Sequence, residues 1–346
     1  MSFDVVQFGS VLRLIEAALG RTPKWGGSLN NKGHLYDFAW IREGMDFWWQ
    51  NTELKSRKVA LPAFICPIVP RVLEKNGLEP VFGDVSLDDF HLNKVPSNAG
   101  AVIVNHTLGM PFDVKKIGEF KGLIVEDVAH GWGAKLNGKW IGTDGDAAFF
   151  SFYKQVANGH GGLLWSRNEM DTSELRQAKF PWLKSLVFSR GVGAALNLWR
   201  RQTGLAGGEI PELNEPRRCS KMGNKLFARS FSTLEEEVEG RQKVTKWYLE
   251  KMDEKFVIPQ QGPKGAEPSY FRFNLRLKPE LASKRDEVLL KLRRKGVFAD
   301  RLWSNAPAKG FPNAELLAKS VINLPIKSTY SKKDVDKLFN IFYECF

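Results

Sequence analysis

From Val59 onward the chain repeats one texture, and that repetition limits its possible folds more than any other feature. Six short apolar runs, VALPAF, PVFGDV, GAVIVNH, GLIVEDVAH, AAFFSF and GGLLWS, follow one another, separated by turn residues or by charged segments long enough for a helix. The runs are apolar throughout instead of alternating with polar residues. Such strands are buried on both faces, so the pattern predicts an α/β fold built on a mostly parallel sheet with helices covering it. Catalytic groups in a sheet of this kind sit just beyond the carboxyl ends of the strands.

At 346 residues the chain accommodates one large domain and one smaller one. The expected division is a large domain over residues 1–235 and a small C-terminal α+β domain over 236–346. The first 60 residues read as helices, with Val11, Leu12, Leu14, Ile15, Ala18 and Leu19 on one apolar face and a second helix from Phe38 to Gln50. Lys221 to Met252 reads as one long connecting helix. Beyond it come a strand in SYFRFNLRL, a helix in ELASKRDEVLLKLRRKG, a strand-like FADRLW, an apolar strand in KSVINLPI and a final helix. That last helix starts at Ser331, a good N-cap with Asp334 three residues on.

No apolar run approaches the roughly 20 residues a membrane span needs. The opening stretch carries Asp4 and no cluster of positive charge, so no signal peptide is expected and a cytoplasmic protein is. Cys66, Cys219 and Cys345 are odd in number and far apart, with no CxxC pair, which suggests neither a disulfide framework nor a metal site. A formal charge of +12 favours anionic partners such as phosphates and nucleotides. No DNA-reading motif is present, so nucleic acid is not among them. The basic aromatic segment 176–203 is a candidate, over 180–201, for peripheral contact with a membrane, with packing on the protein or on a second subunit the simpler reading.

The stretch Val125 to Gly162, VEDVAHGWGAKLNGKWIGTDGDAAFFSFYKQVANGHGG, carries the chemistry. It places an acid at one strand end, then a hydroxyl and a lysine at the end of another. Pyridoxal phosphate (PLP) asks for that set: a carboxylate to keep the pyridinium nitrogen protonated, and a lysine to hold the cofactor covalently and shuttle a proton.

The same stretch resembles the DegT/StrS-type family of nucleotide-sugar aminotransferases in its ED-x-A-[QH] strand end, its G-x-x-G-D, its FSF, its lysine and its Gly-rich turn. LPAFICPIVPRVLEKNGLEPVFGDVSLDDFHLN is similar to that family's strand, helix and following strand. VNHTLGMPFD resembles its VHLYG-x-P segment at His106 and Gly109, and LAKSVINLPIKSTYSKKDVDKLF resembles its C-terminal strand and helix. The resemblance implies a PLP-transferase fold of the aspartate aminotransferase type. Residue by residue, it implies Lys154 as the Schiff-base lysine, Asp127 as the pyridinium partner, His130 near the ring hydroxyl, Ser151 as a phosphate ligand and His106 toward substrate. The family's stacking aromatic falls at Cys66, with Phe64 as its substitute on the same face of a strand. The phosphate-cradling helix start falls near Ala39 to Arg42, where Arg42 supplies charge. The asparagine that reaches a partner subunit's phosphate falls near Cys219, leaving Arg217 or Arg218 to replace it.

The implied function is transfer of an amino group, from glutamate, to a keto-sugar carried on a nucleotide, in a homodimer serving surface polysaccharide or amino-sugar synthesis. Two alternatives stand beside it. One is a PLP-dependent sugar dehydratase, whose relatives carry histidine in place of the lysine. The other is a degenerate member that binds a sugar nucleotide or a partner without turnover.

Overall fold

The computed structural model describes residues 3–4, 33–155, 160–181, 205 and 210–346. The helix expected around Val11 to Leu19 and most of the basic aromatic segment lie outside these residues. All six apolar runs form strands. With one more strand they make a seven-stranded sheet: β1 (His34–Phe38), β2 (Lys58–Pro62), β3 (Glu79–Gly83), β4 (Ala101–Asn105), β5 (Leu123–Asp127), β6 (Ala147–Ser151) and β7 (Gly162–Ser166). Their order across the sheet is β1-β7-β6-β5-β4-β2-β3. Pairings β2 with β3, β2 with β4, β4 with β5 and β5 with β6 are parallel. β7 runs antiparallel to both β6 and β1. The chain moves outward from β2 to β3 and then resumes on the other side of β2 at β4. That reversal leaves an open crevice at the carboxyl ends of the central strands.

Apart from the half-exposed edge strand β3, the apolar runs are largely buried because both sheet faces are covered. Every residue of β4, β6 and β7 is buried. On one face Ile41–Gln50 and Ile68–Lys75 are helices whose Trp48, Trp49, Val69, Val72 and Leu73 join Val59, Leu61, Ile103 and Phe149 in a single core. On the other, Trp132, Phe150 and Phe152 meet Phe227 of the Lys221–Phe231 helix.

A second, antiparallel sheet combines β8 (Val257–Pro259), β9 (Phe273–Leu277) and β10 (Val321–Leu324), with β9 in the middle. Helices Leu234–Leu249, Arg285–Arg294 and Lys332–Tyr343 supply Val244, Tyr248, Leu289, Leu292, Leu338 and Phe339 to its core. The last helix opens with the expected cap: the Ser331 hydroxyl accepts from the Asp334 backbone and the Asp334 carboxylate accepts from that of Ser331.

Three expectations change. Residues 34–38 are an edge strand where the sequence reads as helical, and the helix begins only at Ile41. The long helix expected from Lys221 to Met252 is two helices, broken at Ser232 and Thr233, whose hydroxyls turn back onto the carbonyls of Arg229 and Ser230. A helix at Pro312–Ser320 lies between FADRLW and β10 without having been anticipated. Among the described residues no helix is long and apolar enough to cross a membrane.

A polar seam fixes the small sheet to the turn that follows β4 of the large sheet. Asn274 of β9 donates to the Leu108 carbonyl at 3.1 Å and to Gln260 Oε1 at 3.0 Å. Gln260 Nε2 in turn donates to the Thr107 carbonyl at 3.0 Å. The turn so held, Thr107–Gly109, lies directly beyond β4 and borders the crevice.

Candidate functional site

Strand register assembles the centre. β4 and β5 pair so that Asn105 stands opposite Asp127, each the last residue of its strand. Asn105 donates to Asp127 Oδ2 at 2.6 Å, and the backbone N–H of Ala129 donates to Oδ1 at 3.0 Å. Asp127 is buried. Burial raises its carboxyl above the ordinary range, against the pull of the Lys154 ammonium and of these two bonds. The next strand over ends at Ser151, which is fully buried with no hydrogen-bond partner for its hydroxyl among the described residues.

Lys154 lies three residues on, in the short helix Phe152–Gln155, part-exposed, with its charge felt at Asp127, His130 and Cys66. Phe152 anchors that helix. It is completely buried and stacks on Phe227 with ring centroids 3.5 Å apart, and its N–H donates to the Gly161 carbonyl. Gly161 adopts φ +108°, and a Cβ there would fall 2.5 Å from the Phe152 ring, so position 161 requires glycine.

His130 is buried, with its ring nearly parallel to that of Phe271 (centroids 5.3 Å, interplanar 9°) and tilted 29° from that of Trp303 at 5.4 Å. Its carbonyl accepts from the Ser269 hydroxyl at 2.8 Å. Gly109, at φ +94°, passes so close that a Cβ would lie 2.9 Å from that carbonyl. Burial, and after it the charges of Lys154 and Arg272, hold His130 well below the usual imidazole range. The folded protein therefore keeps it neutral, while the unfolded chain protonates it as pH falls through about 6.5. Below that point the unfolded state binds the extra proton, so acid lowers stability by about 1.4 kcal/mol per pH unit; above it both states are neutral and the residue contributes nothing. Replacing His130 with Gln is expected to remove this slope. Thermal unfolding from about pH 7.5 to about pH 5 tests it, and parallel curves for the two proteins would contradict it.

Two expected residues take other posts. Both ring nitrogens of His106 are spent inside the fold: Nδ1 accepts from the Phe112 N–H and Nε2–H donates to Glu126 Oε2, each at 3.0 Å. The ring is 1% exposed, so His106 has no polar atom left for a substrate and is corrected to a structural residue. Glu126 also accepts the N–H groups of Gly142, Asp144 and Gly145, pinning the loop before β6. Phe64 is not on a strand, because β2 ends at Pro62; it lies in the following bend, fully buried edge-on to Phe90 and Trp303. Of the pair at this bend it is Cys66 that feels the charges of Lys154 and Asp127, and burial pushes its thiol up against the Lys154 charge.

At the Ile41–Gln50 helix start, Arg42 lies over the Trp40 ring at 4.9 Å, donates to the Glu212 carbonyl at 3.3 Å, and acts electrostatically on Cys66. Beside it the buried Glu43 receives Arg217 Nη2 at 2.6 Å, and Arg218 pairs with Asp37 at 3.0 Å. Both arginines offered as partner-subunit ligands are thus bound within the chain. Sequence reasoning overlooked Asn105, Glu126, Phe271, Arg272 and Trp303. Asn105 alone had a local signal, a polar residue ending an otherwise apolar run.

Among the described residues no group of three His, Cys, Asp or Glu is arranged to hold a metal ion. The centre is a buried acid–amide pair, an amine, a neutral imidazole under aromatic rings, and an unsatisfied hydroxyl.

Comparison with known proteins gives this centre a context. The model of the DegT/DnrJ/EryC1/StrS aminotransferase family matches residues 53–342. GDP-perosamine synthase of Escherichia coli O157:H7 is 27% identical over 119 residues, 31% of this chain and 33% of that protein. The chain's match thus spans about a third of that relative's length. GDP-perosamine synthase of Vibrio cholerae is 21% identical over 291 residues, 81% of this chain and 73% of that protein. Among solved structures, the aminotransferase TlmJ from Streptoalloteichus hindustanus superposes with a TM-score of 0.72 at 20% identity, covering 99% of this chain and 98% of that one. GDP-4-keto-6-deoxymannose-3-dehydratase (ColD) does so with a TM-score of 0.72 at 15% identity, covering 98% and 100%. At such identities the two structures speak for the fold.

Proposed function

The chain belongs to the DegT/DnrJ/EryC1/StrS aminotransferase family, whose members depend on PLP, and from that premise we propose that it moves an amino group from glutamate to a keto-sugar carried on a nucleotide. The observation that carries this reading is that the buried Asp127 and His130 and the half-buried Cys66, at and just beyond the ends of β5 and β2, all lie within reach of the charge of Lys154 just beyond β6.

The residues present fit the cofactor. The Ser151 hydroxyl is buried and unsatisfied, as a phosphate ligand would leave it. Asp127 is held rigidly by Asn105 and Ala129 with acceptor capacity to spare for a ring nitrogen. Arg42 adds positive charge at a helix start, where backbone N–H groups also favour an anion. Lys154 would hold the cofactor covalently and Cys66 would lie against it. Bound PLP supplies an electron sink for breaking the bond between the substrate α-carbon and its hydrogen.

The chain's own groups do the rest. Lys154 Nζ takes a proton from one carbon and returns it at another, which needs an amine at a fixed post that can be neutral or charged. Asp127, buried beside that amine, keeps a proton on the group facing it by charge. His130, neutral and clamped between aromatic rings, offers a hydrogen bond without adding a second positive charge near Lys154. The stacked rings of Phe271 and Trp303 exclude water from this edge. We place the protein in the cytoplasm as a homodimer, in surface-polysaccharide or amino-sugar synthesis.

The names of the relatives suggest the substrate to try. Protein loaded with PLP and given glutamate and GDP-4-keto-6-deoxymannose is expected to release 2-oxoglutarate and yield the amino sugar, followed by mass spectrometry. A product that has lost a hydroxyl and gained no nitrogen would support the dehydratase reading, against which the amine of Lys154 counts. Absence of any product across guanosine, uridine and thymidine diphosphate keto-sugars would support binding without turnover.

A further inference from the structure

Asn105 is the one polar residue of β4, and it closes that strand inside the protein, 5% exposed. Opposed residues of neighbouring parallel strands share a sheet face. Asn105 stands opposite Asp127, and Asp127 opposite Phe149, two residues before Ser151, so Asn105, Asp127 and Ser151 line one face at the crevice. Among the described residues the Asn105 side chain makes a single hydrogen bond, from Nδ2 to Asp127 Oδ2 at 2.6 Å. Its Oδ1 is buried with no donor among those residues. A buried amide oxygen left in that state costs free energy, and an apolar side chain would continue the strand without that cost. The amide therefore serves Asp127 more than the fold. The bond it makes is charge-assisted, roughly twice as strong as a neutral one.

Three titratable groups bear on the same carboxylate: Lys154 from the segment after β6, His106 from the turn after β4 and Cys66 from the bend after β2. His106 is committed to Glu126 and Phe112, and burial keeps the Cys66 thiol neutral. Lys154 supplies the positive charge, yet that same amine is the one that holds the cofactor and moves a proton. Its charge therefore changes during turnover, while the Asn105 amide and the Ala129 N–H remain. We propose that Asn105 is a positioning residue that acts through Asp127, its amide donor keeping that carboxylate ionised while the charge on Lys154 comes and goes. The role of Asp127 rests on the aminotransferase reading; the pairing is tested without turnover as well.

Asn105→Leu keeps the volume and removes the donor. A hydrogen bond to the charged form lowers a carboxyl group's proton affinity, so without it Asp127 takes up its proton at higher pH. The expected displacement is about one pH unit, read in two preparations. In protein loaded with PLP the acid limb of kcat moves up by that amount, while KM for glutamate changes by less than about twofold. In PLP-free protein, melting is followed from about pH 5 to about pH 8. The stability that Asp127 contributes at low pH is lost as pH rises through its folded value, so in the variant that loss extends to higher pH, and adding Asp127→Asn removes the difference. A merely structural amide would lower the whole curve without displacing it. No displacement in either preparation overturns the proposal, and so does a displacement in PLP-free protein alone when the wild type is active and the limb of kcat is unmoved. Should Asn105→Leu not fold, Asn105→Asp has the same shape and sets a second carboxyl group against Asp127. Such a pair shares a proton, and PLP-free protein is expected to lose stability as pH rises toward about 8; curves parallel to wild type overturn the proposal. If the PLP-free curves shift as expected while loaded wild type transfers no amino group, the aminotransferase reading fails and the pairing of Asn105 with Asp127 stands.

Discussion

Lys154→Ala is expected to lower kcat for amino transfer by at least about a thousandfold, because it removes the residue proposed as both covalent anchor and proton shuttle. The loss should be functional and not structural. The segment is held by Phe152, stacked on Phe227, and by the Gly161 turn, none of which involves the lysine side chain. Lys154 is part-exposed and belongs to none of the apolar clusters. Lys154→Arg separates chemistry from electrostatics: it keeps positive charge beside Asp127 and His130 but replaces the amine with a guanidinium, which neither forms the covalent link nor gives up a proton. It should be as inactive as alanine. Borohydride treatment of wild type with PLP is expected to fix the cofactor's mass on the peptide containing Lys154 and to fix nothing on either variant. Wild-type turnover in Lys154→Ala, or a fixed mass on another lysine, would defeat the assignment.

What was legible in the sequence follows from where burial is written. Strands covered on both faces are apolar along their buried length, so β2 and β4 to β7 announce themselves in contiguous residues, and the ends of β5 and β6 mark Asp127 and Ser151. β1 escapes this logic. As an edge strand with only Phe38 buried, HLYDF has no apolar run and merges with the amphipathic helix behind it. The break at Ser232 and Thr233 is hidden because helical spacing continues across it in Phe231, Leu234 and Val238. The Phe64 expectation failed for a backbone reason: side-chain alternation predicts a shared face only while the strand lasts, and it ends at Pro62. His106 shows a second limit, since a histidine at a strand end looks the same whether it faces a ligand or a buried glutamate. Arg272 and Trp303 come to the site from far along the chain and no local pattern marks them; only tertiary structure brings them onto Phe271 and His130.

Asp127→Asn is the complementary experiment, expected to reduce kcat by about a hundredfold or more by removing the buried carboxylate proposed to partner the cofactor's nitrogen. The geometry indicates that the fold will tolerate it. The Ala129 N–H keeps its acceptor if the asparagine oxygen occupies the Oδ1 position. The new amide then meets Asn105, whose own Oδ1 is buried and has no partner among the described residues; a flip of the Asn105 amide presents that oxygen to the new donor and satisfies both. The variant also no longer buries a carboxylate whose proton affinity burial raises. In the wild type that raised value adds stability at low pH, where the folded protein binds its proton more tightly than the unfolded chain, and the contribution is lost as pH rises through the folded value. Asp127→Asn should therefore change thermal stability near neutral pH by about 1 kcal/mol or less and flatten its dependence on acid, while nearly abolishing turnover. Unfolding curves and single-turnover rates on the same preparation decide the matter. A variant that folds like wild type and still transfers the amino group at the wild-type rate would mean that the nitrogen partner is another residue, and that Asp127 serves only to join β5 to β4.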